Sequence, residues 1–455
     1  MSLLIRNGRI ITATDDYTAD IFIEDEKISL IGKNLDIGAE NIIEAENKLI
    51  FPGGIDPHVH FDLPFKHTAS SDDFETGTRA ALFGGTTCVI DFAVQNKNHS
   101  LYSALDEWNI KAYNKSYCDY SFHLNMTDAT PDAIKEIKDI ILREGIPSFK
   151  IFMAYKGTMM MDDRQILAVM DEVKKYGGIV SAHATNGDMI DYLVSKYKSE
   201  GKLNPLYHYL SQPEISESEA TGRFIDLANL TNVKSYVVHI TCEGALNKIK
   251  EAKVRSQEVF AETCIQYLVL DASLYNKGTD SAKWVISPPL REKKDQYALW
   301  SAINNGLIQT VATDHCPFLL KDKITEARDF SLIPNGAPGI ENRMELLFSE
   351  GVKKNRISLN KYVELTSTNA AKIFGLHPHK GTIAVDSDAD IVVFDPEEKH
   401  TISVKTHHMN CDYSSYEGFE VTGKCKTVII RGHIAIDDNQ LLINKGFGKF
   451  IKRKL

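Results

Sequence analysis

Between residues 49 and 314 the chain alternates short apolar, β-rich runs with longer segments of helical period, and this constrains the fold more than any other feature. The strand candidates are 49–60, 86–93, 117–126, 148–155, 178–184, 235–241, 258–264 and 308–314. Helix candidates lie between them. Segment 72–83 is closed by Gly84-Gly85, and 131–144 opens on Pro131, a residue suited to a first helical turn. Segment 162–176 stops at Gly177-Gly178, 216–230 has Ser216 and Glu219 at the spacing of a capping box, and 291–305 ends at Gly306. Eight strands, each followed by a helix, is the plan of a (β/α)8 barrel of the TIM type, in the α/β class. A doubly wound sheet would place a glycine-rich phosphate loop after its first strand, and none is present.

The two ends have a different texture. Leu3 to Ile11, Ile21 to Ile31, Ile391 to Phe394 and Val428 to Ile430 read as strands separated by polar turns. Neither end alone has enough strands to bury a core. Both are therefore expected to build one small β-sandwich domain, with 1–52 as its N-terminal part, 53–377 as the catalytic barrel and 378–455 as its C-terminal part and tail.

Composition removes several function classes. Lys plus Arg is 52 against 62 for Asp plus Glu, a net charge of −10, which disfavours nucleic acid as a partner. No run approaches the ~18 apolar residues of a membrane span, and the N-terminal stretch lacks the pattern of a signal peptide. The seven cysteines are scattered without a C-x-x-C pair, as expected for reduced thiols in a cytoplasmic protein.

The polar oddities of the middle region fall at the C-terminal ends of the strand candidates, where a barrel gathers its active site. His58 and His60 are two residues apart on a strand, so both imidazoles point to one side. His377 and His379 repeat the spacing in a polar stretch and read as surface residues. Lys150 stands inside the apolar run Ser148 to Met153, where an unpaired ammonium is costly; such a lysine either snorkels or exists as another species, for example a carbamate. His183 and His239 each end an apolar strand, Asp314 ends another, and His123 fits a structural histidine. Cys316 is disfavoured as a nucleophile because no separate Cys–His arrangement accompanies it. Four histidines, an aspartate and a strand-buried lysine suit zinc and its neighbours. Six such groups are more than one ion needs and point to two, which together activate water and polarise a carbonyl.

At these residues the chain resembles the cyclic amidohydrolases, and within them dihydropyrimidinase and D-hydantoinase. The likeness runs through PGGIDPHVHF (52–61), SFKIFMAYKG (148–157), ETCIQYL (262–268), SPPLRE (287–292), ATDHCPF (312–318), IPNG (333–336) and KGTIAVDSDADIVVFDP (380–396), and continues in THHMN (406–410) and DYSSYEG (412–418). The resemblance implies a cytoplasmic homotetramer that hydrolyses a small cyclic amide or ureide with two divalent ions, zinc, bridged by Lys150 as N6-carboxylysine. It implies His58, His60, Lys150 and Asp314 as ligands of the more buried ion, and Lys150, His183 and His239 as ligands of the second. Asp314 would also be the general base and Tyr155 the oxyanion donor. Ser287 and Asn335 would bind the amide edge of the ring, with Leu63, Phe65, Phe152 and Met159 forming a hydrophobic gate around its substituent.

Two positions depart from the family pattern. Thr185 follows His183-Ala184 where the family has Glu, so His183 is expected to lack a supporting partner; Ile265 replaces Pro in Thr263-Cys264-Ile265-Gln266-Tyr267. Neighbouring subfamilies fit less well. Dihydroorotases resemble His-x-His-x-Arg and allantoinases place Asn at that last position, whereas here Asp62 stands there and is expected to repel a carboxylate. The collapsin-response-mediator scaffolds share the fold but have lost metal ligands, and all six positions are filled here.

Overall fold

The computed structural model describes residues 2–65 and 68–455. The N-terminal segment supplies β1 (Ser2–Ile11), β2 (Asp16–Glu24), β3 (Lys27–Gly32), β4 (Asn41–Glu44) and β5 (Leu49–Pro52). The chain then enters β6 (Gly54–Val59), the first barrel strand. A small antiparallel pair, β7 (Pro64–Phe65) and β8 (Thr68–Ala69), precedes the remaining barrel strands. These are β9 (Thr86–Val94), β10 (Asp119–Asn125), β11 (Ser148–Phe152), β12 (Ile179–His183), β13 (Lys234–Val237), β14 (Val259–Cys264) and β15 (Thr310–Ala312). β16 (Ile391–Thr401), β17 (Glu420–Ile430), β18 (His433–Asp437) and β19 (Gln440–Leu441) return to the terminal domain.

The eight barrel strands pair in chain order, all parallel, from β6 through β9 to β15. Every strand in the series matches an expected run, with one division. The run 49–60 is two strands, because Gly53 passes the chain from the terminal sheet into the barrel. A Cβ on Gly53 would lie 2.1 Å from the Thr87 hydroxyl, so only glycine fits that crossing.

Helices follow the strands as expected. Asp73 caps Phe74–Phe83, Thr130 caps Pro131–Asp139, and Asp162 with Gln165 forms a capping box on Asp163–Lys175. The capping box expected at Ser216 and Glu219 does not form. The helix starts earlier, at Glu214 after Pro213, and the Ser216 hydroxyl donates to the Pro213 carbonyl instead.

Both termini build one domain. β5 pairs antiparallel with β16, joining the two ends of the chain in a continuous nine-stranded sheet. The expected sandwich is thus a single mixed sheet in hydrogen-bonding terms, and Ile5, Ile21, Ile50, Ile391 and Ile429 give it a core separate from that of the barrel. The last residues leave this sheet and run along the lower part of β10: the Tyr120 N–H donates to the Lys449 carbonyl (3.0 Å) and the Ile451 N–H to that of Tyr120 (2.8 Å). Arg453 ends up buried, donating to the Ser121 and Ser148 hydroxyls at 2.8 Å each and to the Phe122 carbonyl.

The barrel closes between β15 and β6 chiefly through side chains. One bridge joins Val59 to His315, and the His60 N–H donates to the His315 carbonyl at 2.8 Å. The Thr313 hydroxyl donates to Asp56 at 2.6 Å. Arg343, fully buried, donates to the carbonyls of Ile55 (2.9 Å) and Val311 (3.0 Å) and to the Thr86 hydroxyl (3.0 Å), with Asp56 at 3.8 Å. Among the described residues, no helix is long and apolar enough to cross a membrane.

Replacing Arg343 by Met should leave Asp56 a buried unpaired carboxylate and two carbonyls without donors, a loss of roughly 3–5 kcal/mol. Thermal unfolding should shift down by several degrees. A melting temperature equal to that of the unaltered protein would show that Arg343 does not hold the seam.

Candidate metal centre and active site

The barrel brings the six expected ligand side chains to one end. His58 and His60 lie at the end of β6 on one side, ring centroids 5.2 Å apart. Asp314 Oδ1 is 3.1 Å from His58 Nε2 and 3.0 Å from His60 Nε2. Lys150 Nζ, from the middle of β11, is 3.1 Å from His58 Nε2 and lies over the Phe92 ring. Beside them, His183 Nδ1 and His239 Nε2 face each other at 2.8 Å. Two groups of lone pairs therefore converge, with Lys150 next to the first.

His239 and Asp314 sit just past the ends of β13 and β15, and Tyr155 just past β11, all with positive φ (39°, 50° and 64°). That conformation is costly for a residue with a Cβ, and for tyrosine it is a real outlier. It breaks the strand direction at each of these three positions.

Protonation favours ligation at three of the four histidines. Burial pushes His60 down to about 4 and His183 to about 3, and it lowers His239 as well. Neutral imidazole is the form that binds a metal. Burial and Lys150 oppose protonation of His58, but Asp314 and Glu262 more than offset them. Burial likewise works against ionisation of Asp314, yet His58 and His60 hold its carboxyl well below the usual range. Burial lowers Lys150 to about 8, which enlarges its neutral-amine fraction near neutral pH.

Among the described residues, His58, Glu262 and Cys264 form a second cluster with ligand spacing. It is not a second metal site. Burial raises the Cys264 thiol, which keeps it protonated, and Glu262 is already engaged. His58 Nδ1–H donates to it at 2.6 Å, the Tyr236 hydroxyl at 2.7 Å and the His239 N–H at 3.1 Å. Glu262 is a residue the sequence reading missed. Its signal was the one that singled out Lys150, an ionisable group inside an apolar strand.

Thr185 corrects an expectation. Its hydroxyl lies 2.9 Å from His183 Nε2, so His183 keeps a hydrogen-bond partner, a neutral one. His123 is structural as read: Nδ1 meets the Ser148 hydroxyl at 2.6 Å and Nε2 the Pro57 carbonyl at 3.0 Å. His377 and His379 are exposed.

A cavity of about 270 Å³ opens beside Tyr155 and is lined by Ser287, Asn335, Gln212, His208 and Phe330. The Tyr155 hydroxyl hydrogen-bonds Ser287 and Asn335, and burial raises it to about 12 all the same. Of the four gate residues, Phe152 adjoins the site, its ring 5.6 Å from that of Tyr155 and 5.3 Å from that of His183. Leu63 packs on the main core, the Phe65 ring meets Phe318 at 5.6 Å, and Met159 lies half-buried in the turn after Tyr155; like Phe152, these three are not part of the wall of that cavity. Asp62 is also outside it; Lys111 lies 3.8 Å from its carboxylate and closer, at 3.0 Å, to that of Glu107.

The sequence pattern of the amidohydrolase family matches residues 49–435. The chain belongs to that family. It is 49% identical to a D-hydantoinase of Geobacillus stearothermophilus, over 100% of this chain and 97% of that one. It is 45% identical to a D-hydantoinase of Ralstonia pickettii, over 100% and 99%. The crystal structure of dihydropyrimidinase from Brevibacillus agri NCHU1002 superposes with a TM-score of 0.99 at 48% identity, covering 100% of this chain and 99% of that one. The protein is a hydrolase of the hydantoinase and dihydropyrimidinase branch that uses divalent metal.

Cys316, buried beside Asp314 with its thiol raised by burial, has no nucleophilic part in such a site. Cys316→Ala should keep turnover within about threefold of the unaltered enzyme, since only one small buried group is removed. A loss of a thousandfold in steady-state rate, at full metal content, would reinstate the thiol.

Proposed function

We propose that this chain is a two-metal hydrolase opening the ring of 5,6-dihydropyrimidines and 5-monosubstituted hydantoins to N-carbamoyl amino acids. The convergence of His58, His60 and Asp314 at 3.0–3.1 Å, with the paired His183 and His239 alongside, is the observation that carries this reading. Zinc fits a donor set of imidazoles and carboxylate oxygens.

Lys150 as N6-carboxylysine fits its surroundings better than an ammonium. A buried cation 3.1 Å from an imidazole lone pair would repel a metal there. The neutral amine adds to carbon dioxide, forming an N–C bond and releasing a proton. The resulting anion would lie beside the His58–His60–Asp314 group and would supply the negative charge that two cations share.

Bound divalent ions supply Lewis acidity, polarising the ring carbonyl and acidifying water. The protein's own groups do the rest. Asp314 takes the proton of the attacking water and passes it to the leaving ring nitrogen. Tyr155, protonated at neutral pH, donates its hydroxyl hydrogen to the oxyanion that develops on the carbonyl. Ser287 and Asn335 hold the amide edge of the ring, and Phe152 closes the apolar side.

Neutral rings suit the cavity. Its lysine, Lys156, is already paired with Asp188 at 2.5 Å, and burial lowers His208 to about 4, so it is uncharged. A substrate carboxylate would lose its hydration there without gaining a free cation. Preference for D-hydantoins and assembly as a homotetramer rest on the family likeness. The seven cysteines, unpaired and buried, support a reducing, cytoplasmic setting.

Lys150→Ala should lose most bound metal and activity together; an alanine variant with about two metals per chain and ordinary turnover would refute the bridging role. Tyr155→Phe should lower kcat by ~10²–10³ with little change in KM, and an effect on KM alone would remove the tyrosine from the chemical step. In a panel of dihydrouracil, both enantiomers of a 5-alkyl hydantoin, allantoin and dihydroorotate, the neutral dihydropyrimidine and D-hydantoin should turn over fastest. Dihydroorotate as the best substrate would overturn the substrate class.

A further inference from the structure

The two groups of ligands are alike in one respect and different in another. Each contains one imidazole whose far nitrogen is buried without a partner, His60 Nδ1 in the first and His239 Nδ1 in the second. Each also contains one imidazole whose far nitrogen is held. Here the partners differ in charge. His58 Nδ1–H donates to the Glu262 carboxylate at 2.6 Å, and Glu262 is fixed in turn by the Tyr236 hydroxyl and the His239 N–H. His183 Nε2 lies 2.9 Å from the Thr185 hydroxyl, an uncharged partner that accepts from Nε2–H in the tautomer whose Nδ1 faces a metal.

A histidine that donates to a carboxylate is held in one tautomer with its other lone pair aimed at the metal, and the anion makes that lone pair a stronger donor. A hydroxyl acceptor orients the ring but adds no charge, and a charge-assisted bond is roughly twice as strong as a neutral one. Glu262 is wholly buried, so water does not screen its effect.

We propose that Glu262 and Thr185 are positioning residues that make the two ions unequal. Glu262 anchors the ion at His58, His60 and Asp314, whereas Thr185 leaves the ion at His183 and His239 as the one that exchanges first. The proposal rests on the two-metal reading above and adds the order in which the ions leave. It also means that the identity of the second ion follows the metal supply more closely than that of the first.

The test uses the zinc-loaded full-length enzyme challenged with EDTA, with zinc per chain and release rates followed by a chromophoric indicator. Unaltered protein should release its two ions in separate phases. Thr185→Val, which keeps the shape and removes the acceptor, should speed the first phase by about tenfold and leave the second unchanged. Thr185→Ser should restore the slower first phase, and the melting temperature of the apoprotein should be the same in all three. Glu262→Gln should speed the second phase; should that variant fail to fold, Tyr236→Phe, which removes one donor to Glu262, should act in the same direction more weakly. A single release phase for both ions, or a first phase indifferent to Thr185→Val, overturns the proposal while leaving the two-metal reading intact. A loaded protein that holds fewer than two ions per chain overturns both.

Discussion

Closure of the barrel between its last and first strands is the constraint on which the site depends. Asp314 comes from the end of β15, and His58 and His60 from the end of β6, far apart in sequence. They approach within 3.0–3.1 Å only because the seam is drawn shut. The backbone contributes little there beyond one bridge and the His60–His315 hydrogen bond. Asp56, Thr313 and Arg343 do most of the work, below the metal ligands and out of water. His315 continues the closure upward. Its Nε2–H donates to Asp72 at 3.0 Å, and its Nδ1 accepts the Gly339 N–H at 3.1 Å, so the residue after Asp314 is tied on both sides. The carboxylate proposed as ligand and base gains its position from His315 on one side and the Asp56–Thr313–Arg343 group on the other.

The same economy explains where backbone strain is found. His239, Asp314 and Tyr155 are left-handed, and each lies just beyond a strand end. A strand held in a parallel ladder aims alternate side chains at the barrel interior. Breaking that direction through positive φ costs on the order of 1–3 kcal/mol per residue. The surrounding packing sustains that cost, because strands, helices and loop contacts over-determine each position. Strands thus carry His58, Lys150 and His183, and the first loop residues carry His239, Asp314 and Tyr155.

Much of this was legible in the sequence, and what was not has physical reasons. The barrel strands could be read because parallel strands buried on both faces are nearly continuous apolar runs, and ionisable residues inside such runs are conspicuous. Lys150 stood out that way; Glu262 carried the same mark but was hidden inside a motif read for its family likeness. The run 49–60 read as one strand because a crossing glycine leaves the apolar pattern unbroken. The capping box at Ser216 failed because a short spacing rule competes with Pro213, after which the helix starts two residues earlier. The course of the tail along β10, and the burial of Arg453, could not be read because an arginine in a basic terminal stretch carries no local sign of its partners.

The four proposed gate residues are held in two different ways. Phe152 sits on a strand end and meets Tyr155 and His183 through ring contacts that the barrel itself imposes. Leu63, Phe65 and Met159 lie in or beside connecting segments, and they pack on the core, on Phe318 and in the turn after Tyr155. Phe330 and Gln212 contribute to the wall of the cavity, from segments that carried no catalytic motif. The metal face is built from strands and their immediate ends, so its geometry follows from the fold and transfers with it. The substrate face is built from loops, whose packing is settled by local contacts of low energy. The ligand cluster is thus fixed by the barrel strands, whereas the wall of the cavity beside Tyr155 is assembled from separate connecting segments.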